Sequence, residues 1–331
     1  MSSATLDVPT LETLVSAAVA APSIHNTQPW RFRLDADLVT LGLRAVAEHG
    51  LRHMDPAGRA LHLSAGCALL NLRVAVAHFG WEPVARLLPD PAEPGLLATV
   101  RLGGTVRTSP SAARLYGALW RRHSSRLPFS GQPVPSDVLA ELAEAAHAEG
   151  ATLSLPGPAE TERLFRLTRL AEQRNANDPD RAAESRRWVH EPDGRALGMP
   201  ARTLGPQDFR EQIPVRDFGA RRHPDALPAR PFERQPLIAL LSTAHDRRTD
   251  WLRAGQALER LLLVATAHGV RASLLHQALE WPDLRARLLP EEGPRGNAQM
   301  MIRLGYGPEG PSSPRRGPHE VLDRPVGPVL P

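Results

Sequence analysis

His62 to Gly80 reads HLSAGCALLNLRVAVAHFG, and Trp251 to Gly269 reads WLRAGQALERLLLVATAHG. The two stretches agree at Leu63/Leu252, Ala65/Ala254, Gly66/Gly255, Ala68/Ala257, Leu69/Leu258, Leu72/Leu261 and Gly80/Gly269. Both are apolar around most of a helical circumference, which places each in the middle of a molecule and not on its surface. The likeness continues beyond them. Arg86-Leu87-Leu88-Pro89 and Arg101-Leu102-Gly103 recur as Arg287-Leu288-Leu289-Pro290 and Arg303-Leu304-Gly305, and Val8-Pro9-Thr10 before one Ala-rich helix parallels Val134-Pro135-Ser136 before another. Two copies are too few for a solenoid, so the economical reading is an old duplication in which one polypeptide does the work of a two-fold symmetric dimer. The halves span residues 1–105 and 106–331, and their two long helices are expected to pack together as a spine.

Outward from this spine, Leu11, Leu14, Val15, Ala18 and Val19 follow the spacing of an amphipathic helix, with Thr10 as its expected N-cap and Pro22 closing it. Residues 31–34, 39–43, 97–102 and 299–304 read as strands, and 136–146 and 160–173 as helices. The mixture favours an α+β three-layer fold. From about 190 to 235 the composition turns to Pro, Gly, Arg and Asp, and an aperiodic insertion of that length is expected to be a lid, with Trp188, Met199, Phe209 and Phe218 as apolar anchors. The Pro/Gly-rich tail after Gly307 is expected to wrap over the surface.

Composition narrows the function. With 42% hydrophobic residues in 331, the chain buries a substantial core. No apolar run approaches the roughly 20 residues of a membrane helix, and the N-terminus lacks a secretory pattern, so a cytoplasmic protein without membrane partners is expected. All 40 basic residues are arginine, yet net charge is only +4 and the charges are interspersed, which argues against a nucleic-acid partner. Cys67 is the sole cysteine, excluding an internal disulfide or a multi-thiolate metal site.

Two motifs carry chemistry. Ala21 to Trp30 reads APSIHNTQPW, and the two prolines hold a defined turn that presents Ser23, Asn26 and Gln28. Their side chains suit the mixed donor and acceptor edge of a heteroaromatic ring such as a flavin, or else simply satisfy the turn's own backbone. Arg121 to Phe129 reads RRHSSRLPF. Clustered guanidinium and hydroxyl groups match a phosphate monoester, or alternatively form a solvated helix end. Each half holds one motif. His25 and His276 have no spacing that implies a metal or a nucleophile's base and read as structural or cavity-lining residues.

Together these segments resemble the flavin-dependent nitroreductase superfamily, which combines an arginine-serine-arginine strap, an APSxxNxQPW segment, a long central helix and a late RLGY strand. The fused, lidded arrangement is similar to the superfamily's Acg branch, whose members contain FMN. The resemblance implies a nitroreductase-like fold and one FMN pocket per chain, built from Arg122, Ser124 and Arg126 of the later half against Pro22, Ser23, Asn26 and Gln28 of the earlier, with the opposite pocket dead. It further implies that Arg315 and Arg316 reach the phosphate, and that Gln277-Ala278 stands where the family sets a backbone N–H against flavin N5, although the family's usual glycine is missing there. The expected activity is hydride transfer from NAD(P)H through the flavin to a small nitro compound or quinone, with no catalytic side chain. The rival expectation is a flavin-sequestering protein whose lid excludes substrate, and a third is a flavin-free scaffold. A monomer is expected, because the pseudo-dimer already supplies both halves.

Overall fold

A computed structural model of the chain describes residues 6–190, 196–218, 229–290 and 296–323. Parts of the expected lid (191–195 and 219–228) and the end of the tail lie outside the described residues.

Asp7, not Thr10, caps the first helix: its carboxylate accepts from Thr10 N–H at 2.9 Å. The helix therefore starts earlier than its apolar pattern, as α1, Val8–Val19. It leads to β1 (Trp30–Leu34), β2 (Thr40–Ala45), the long helix α2 (Arg59–His78), β3 (Trp81–Leu87) and β4 (Leu96–Thr105). After α3 (Pro110–Leu119) the same plan returns with α4 (Ser136–His147) and β5 (Thr152–Ser154). The helices α5 (Pro158–Asn177) and α6 (Pro179–Arg187) and the two-residue strands β6 (Val189–His190) and β7 (Met199–Pro200) interrupt it. The plan then resumes with β8 (Leu237–Thr243), α7 (Arg248–Ala267), β9 (Arg271–Leu275), α8 (Pro282–Arg285) and β10 (Asn297–Gly305), and α9 (Pro318–Val321) follows.

Two antiparallel sheets have corresponding strand orders, β1-β2-β4-β3 and β5-β8-β10-β9. Between them, α2 and α7 cross at their matched glycines. A Cβ built on Gly66 would stand 2.3 Å from Leu252 O, and one on Gly255 would stand 2.1 Å from Leu63 O. These are the same two template positions seen from either helix, so each glycine admits the other helix's backbone. By length and composition α2 could cross a membrane, but 83% of its most apolar window is buried here, as suits a core helix.

The inserted segment is anchored differently from the expectation. Met199, Leu204 and Phe218 form a small buried cluster, with Val189 packed against it. Phe209 is not an anchor, being 73% exposed, and Trp188 is only partly covered. Asp208 organises the turn beyond, accepting from the backbone N–H groups of Gln212 (2.9 Å) and Ile213 (3.0 Å). The tail does more than wrap the surface. Arg316 is buried beneath it, and Asp323 N–H reaches Phe32 O of β1 at 2.8 Å.

Candidate functional site

The turn between the two prolines is strained. His25, Asn26 and Gln28 have φ of 48°, 54° and 46°, a left-handed region that costs a side-chain-bearing residue about 1–3 kcal/mol. Hydrogen bonds hold it there: Ser23 Oγ accepts from Gln28 N–H at 2.9 Å, and Ile24 N–H donates to Ser64 Oγ of α2 at 3.2 Å. The arginine strap is laid beside β9 in turn, Ser125 N–H donating to Ala272 O at 2.8 Å.

Turn and strap meet across two joined cavities. One holds about 980 Å³ of free space, counted to its mouth. Its walls are largely apolar, with Ala60, Leu63 and Cys67 from α2, Leu258 from α7, Leu275 from β9 and Met300 from β10. The inserted segment adds Ile213, Val215, Arg216 and Phe218 to its lining, and Gln277 lines it just past β9. The second cavity, about 1160 Å³ with the open space at its mouth included, is the more polar of the two, with Arg122, His123, Ser313 and Arg315 on its walls. Pro22, Ser23, Ser124 and Arg126 line both.

Arg122 and Arg315 bring two guanidinium groups to the second cavity. Arg122 donates from Nη2 to Ala20 O (3.1 Å), and Arg315 from Nε to Ala21 O (3.1 Å) and from Nη1 to Asn26 Oδ1 (2.8 Å). Arg122 Nη1 and Arg315 Nη2 have no partner among the described residues. Burial, with Arg122 nearby, pushes the Arg315 guanidinium down to about 9, so it remains charged at neutral pH. The facing counter-charge is Glu259 of α7, fully buried, 3.4 Å from Arg122 Nε and pushed up to about 7 by burial. Two cations against one half-protonated carboxylate leave positive charge that an entering phosphate would neutralise.

The other expected site residues are placed differently. Gln28 lines neither cavity. Its amide donates to Ala196 O (2.6 Å) and accepts from Arg316 N–H (2.9 Å), fastening the inserted segment and the tail to the turn. Asn26 lines the polar cavity, but its amide is engaged by Gly198 O (2.7 Å), Pro314 O (3.0 Å) and Arg315. Arg316 also lines it, yet its Nη2 donates to Gln28 O (2.6 Å) and Trp30 O (3.0 Å). Arg126 is turned to the inserted segment, donating to Thr203 O at 2.9 Å beside the Phe218 ring. Gln277 ties that segment from the other side through Pro214 O at 3.2 Å.

The matched positions of the other half carry ion pairs. Counting from the matched Val8 and Val134, Glu149 occupies the place of Ser23, while Gln256 and Arg260 match Cys67 and Asn71 in the long-helix template. Glu149, its side chain only 6% exposed, takes Arg73 Nη1 at 2.6 Å and Arg260 Nε at 2.8 Å, and Arg73 also donates to Gln256 Oε1 at 2.7 Å. Salt bridges thus fill one cleft where small residues and hydroxyls leave the other open.

Residues 119–306 match the sequence model of the Nitroreductase family. The chain belongs to this family. Among its relatives, the Mycobacterium tuberculosis (strain H37Rv) protein named "Putative NAD(P)H nitroreductase Rv3131" is 34% identical over 327 residues, 96% of this chain and 92% of the relative. The same organism's "Putative NAD(P)H nitroreductase acg" is 27% identical over 94% of this chain and 95% of its own length. The crystal structure of the FMN and NADPH-dependent nitroreductase NfnB from a Sphigopyxis strain aligns with a TM-score of 0.41 at 16% identity, covering 64% of this nitroreductase-family chain and 99% of NfnB.

Sequence reasoning missed a buried polar chain in the wall of the apolar cavity of this family member. Glu280 accepts from Arg216 at 2.7 Å and is within 3.1 Å of His276 Nδ1. Burial opposes its charge, but Arg216 and His276 outweigh that and bring it down to about 2. Nothing in the sequence singled out Glu280, because Arg216 is more than sixty positions away.

Proposed function

We propose that the chain is an FMN-dependent oxidoreductase of nitroreductase type, taking electrons from NAD(P)H and delivering them to a small aromatic acceptor such as a nitro compound or quinone. The observation that carries this reading is the joining of an apolar slot to an arginine-lined cavity through four shared residues, Pro22, Ser23, Ser124 and Arg126. An apolar planar ring with a phosphate at the end of a polar chain fits that shape and that charge. Two unpartnered guanidinium nitrogens supply charge-assisted bonds of about 1.5–3 kcal/mol each, against the roughly 8 kcal/mol of micromolar binding, with ring burial adding the rest.

FMN bound there supplies the two-electron chemistry, and the residues of this chain position it and exclude water. Arg122 and Arg315, with the Ser124 hydroxyl, hold the phosphate. Leu63, Cys67, Leu258 and Met300 take the ring, and Gln277 stands at its edge. The corresponding strand orders and the reciprocal glycine crossing support a duplicated chain, divided near residue 105, that completes one pocket without a second subunit. On this reading the functional unit is a monomer with one open and one salt-bridged cleft.

A second reading is favoured by Ile213, Val215, Arg216 and Phe218 over the apolar cavity: as a lid, this segment keeps acceptors out and the protein stores flavin. The experiment is to load the purified protein with FMN and follow NADPH and NADH oxidation with a nitroarene or quinone, beside a variant lacking about residues 192–231. Turnover by the parent supports the oxidoreductase. Turnover only in the shortened variant supports storage, and absence of flavin binding removes both.

A further inference from the structure

The buried polar chain in the cavity wall ends on His25. Arg59 Nη2 lies 2.8 Å from His276 Nε2, and arginine only donates, so that nitrogen accepts and the His276 proton sits on Nδ1, facing Glu280 Oε1 at 3.1 Å. Glu280 also takes Arg216, whose Nη1 lies 3.1 Å from His25 Nε2. The same rule makes His25 Nε2 an acceptor and places the His25 proton on Nδ1. Burial, then Arg216, holds the His25 pKa well below its ordinary value, so the ring stays neutral and the tautomer is fixed.

That Nδ1–H is buried and has no partner among the described residues, although His25 lines the apolar cavity. An unmet buried donor is unfavourable in the folded protein. It sits on a residue whose backbone is itself in the left-handed region. Strain and an unmet donor at one cavity-lining residue are the marks of a group kept for a ligand. Phe218, edge-on to the imidazole with centroids 5.3 Å apart, covers it from the side of the inserted segment.

We infer that His25 donates its Nδ1–H to a lone-pair oxygen or ring nitrogen of the planar molecule that occupies this cavity, with Phe218 shifting to admit it. The inference rests on the flavin reading above and deepens it. The acceptor atom belongs either to the isoalloxazine edge or to the nitro or quinone oxygen of the substrate. Because Arg216 comes from the segment that covers the cavity, the donor is correctly set only while that segment is seated.

The test compares His25→Asn with His25→Gly in the full chain. Asparagine tolerates the left-handed backbone and keeps an N–H close to the imidazole Nδ1 position, whereas glycine keeps the backbone and removes the donor. FMN affinity is measured by fluorescence quenching, and kcat and KM for a nitroarene and a quinone on the loaded protein. The inference expects His25→Gly to weaken either flavin binding or acceptor turnover by about three- to tenfold, with His25→Asn within about twofold of the parent. Weaker flavin binding assigns the acceptor atom to the cofactor; an effect on acceptor kinetics alone assigns it to the substrate. In parallel, nitrogen-15 imidazole spectra should show a His25 Nδ1–H whose proton moves downfield on ligand addition. Unchanged behaviour of His25→Gly in both measurements, beside a parent that binds FMN, overturns the inference alone. A parent that binds no FMN overturns the flavin reading and this inference with it.

Discussion

Replacing Gly255 with alanine tests the spine directly. The new methyl would stand 2.1 Å from Leu63 O and 2.8 Å from Gly66 Cα, both backbone atoms in the middle of a helix that no side-chain rotation can move. Cβ atoms in folded proteins stay at least about 3 Å from such atoms, so α2 and α7 must separate by about 1 Å at the crossing. A gap of about 0.5–1 Å forfeits a quarter to a half of each dispersion contact across it. Leu63 and Leu69 of α2 and Leu252, Leu258 and Leu261 of α7 are all buried, so the loss extends beyond one pair of residues. Overpacking typically costs about 1–3 kcal/mol, and a clash with backbone belongs at the upper end, near 3 kcal/mol. Urea unfolding of the FMN-free protein reads this as a lower midpoint at similar slope. Flavin affinity should fall too, because Leu63 of α2 and Leu258 of α7 both line the cavity. The Gly66→Ala/Gly255→Ala double variant should lose less than the sum of the singles, since the first methyl has already parted the helices. A Gly255→Ala protein within about 0.5 kcal/mol of the parent would refute the close crossing, and with it the argument that the two glycines are matched for mutual approach.

Glu259 gives a pH dependence of defined sign. Burial raises it from 4.5 to about 7, so the folded state binds more protons than the unfolded one between those values. Stability of the FMN-free protein should therefore fall as pH rises from about 4.5 to 7, by on the order of 3 kcal/mol at most. Glu259→Gln should lack this slope; denaturant curves at pH 5 and 7.5 that run parallel for the two proteins would contradict it. Glu280 behaves oppositely as a charged, paired group. Glu280→Ala strands Arg216 in a buried place and should cost about 3–5 kcal/mol while exposing residues 213–218 to trypsin; an unchanged digestion pattern would count against its role in seating that segment.

The sequence disclosed what was contiguous and concealed what was assembled from distant parts. The long-helix template was legible because seven matched positions lie within nineteen residues, and the glycine pair follows from it. The strand β8 was not legible, since LIALL is an unbroken apolar run whose periodicity cannot separate a buried strand from a helix. The helix α3 was legible in principle, through Ser109 accepting from Ala112 N–H and Pro110 in the first turn, but those signals lay in a stretch without a repeat to draw attention to it. Gln28 looked like a ligand residue because an amide's chemistry is visible in sequence and its partners are not. They come from Ala196 in the inserted segment and Arg316 in the tail.

On the proposed duplication, the same comparison accounts for a site on one side only. Small or neutral residues at Ser23, Cys67 and Asn71 face Glu149, Gln256 and Arg260 at the matched positions, and the latter set closes its own cleft with ion pairs. The open side keeps its charges apart. Arg122 and Arg315 stand over Glu259 without full compensation, and His25 keeps a donor unmet. Each of these is unfavourable for folding alone, and each is relieved by a ligand with an apolar ring, a lone-pair edge and an anionic end. At the matched positions, Glu149 is instead met by both Arg73 and Arg260. On the proposed duplication, the copy that keeps strain and unbalanced charge is the one proposed to bind.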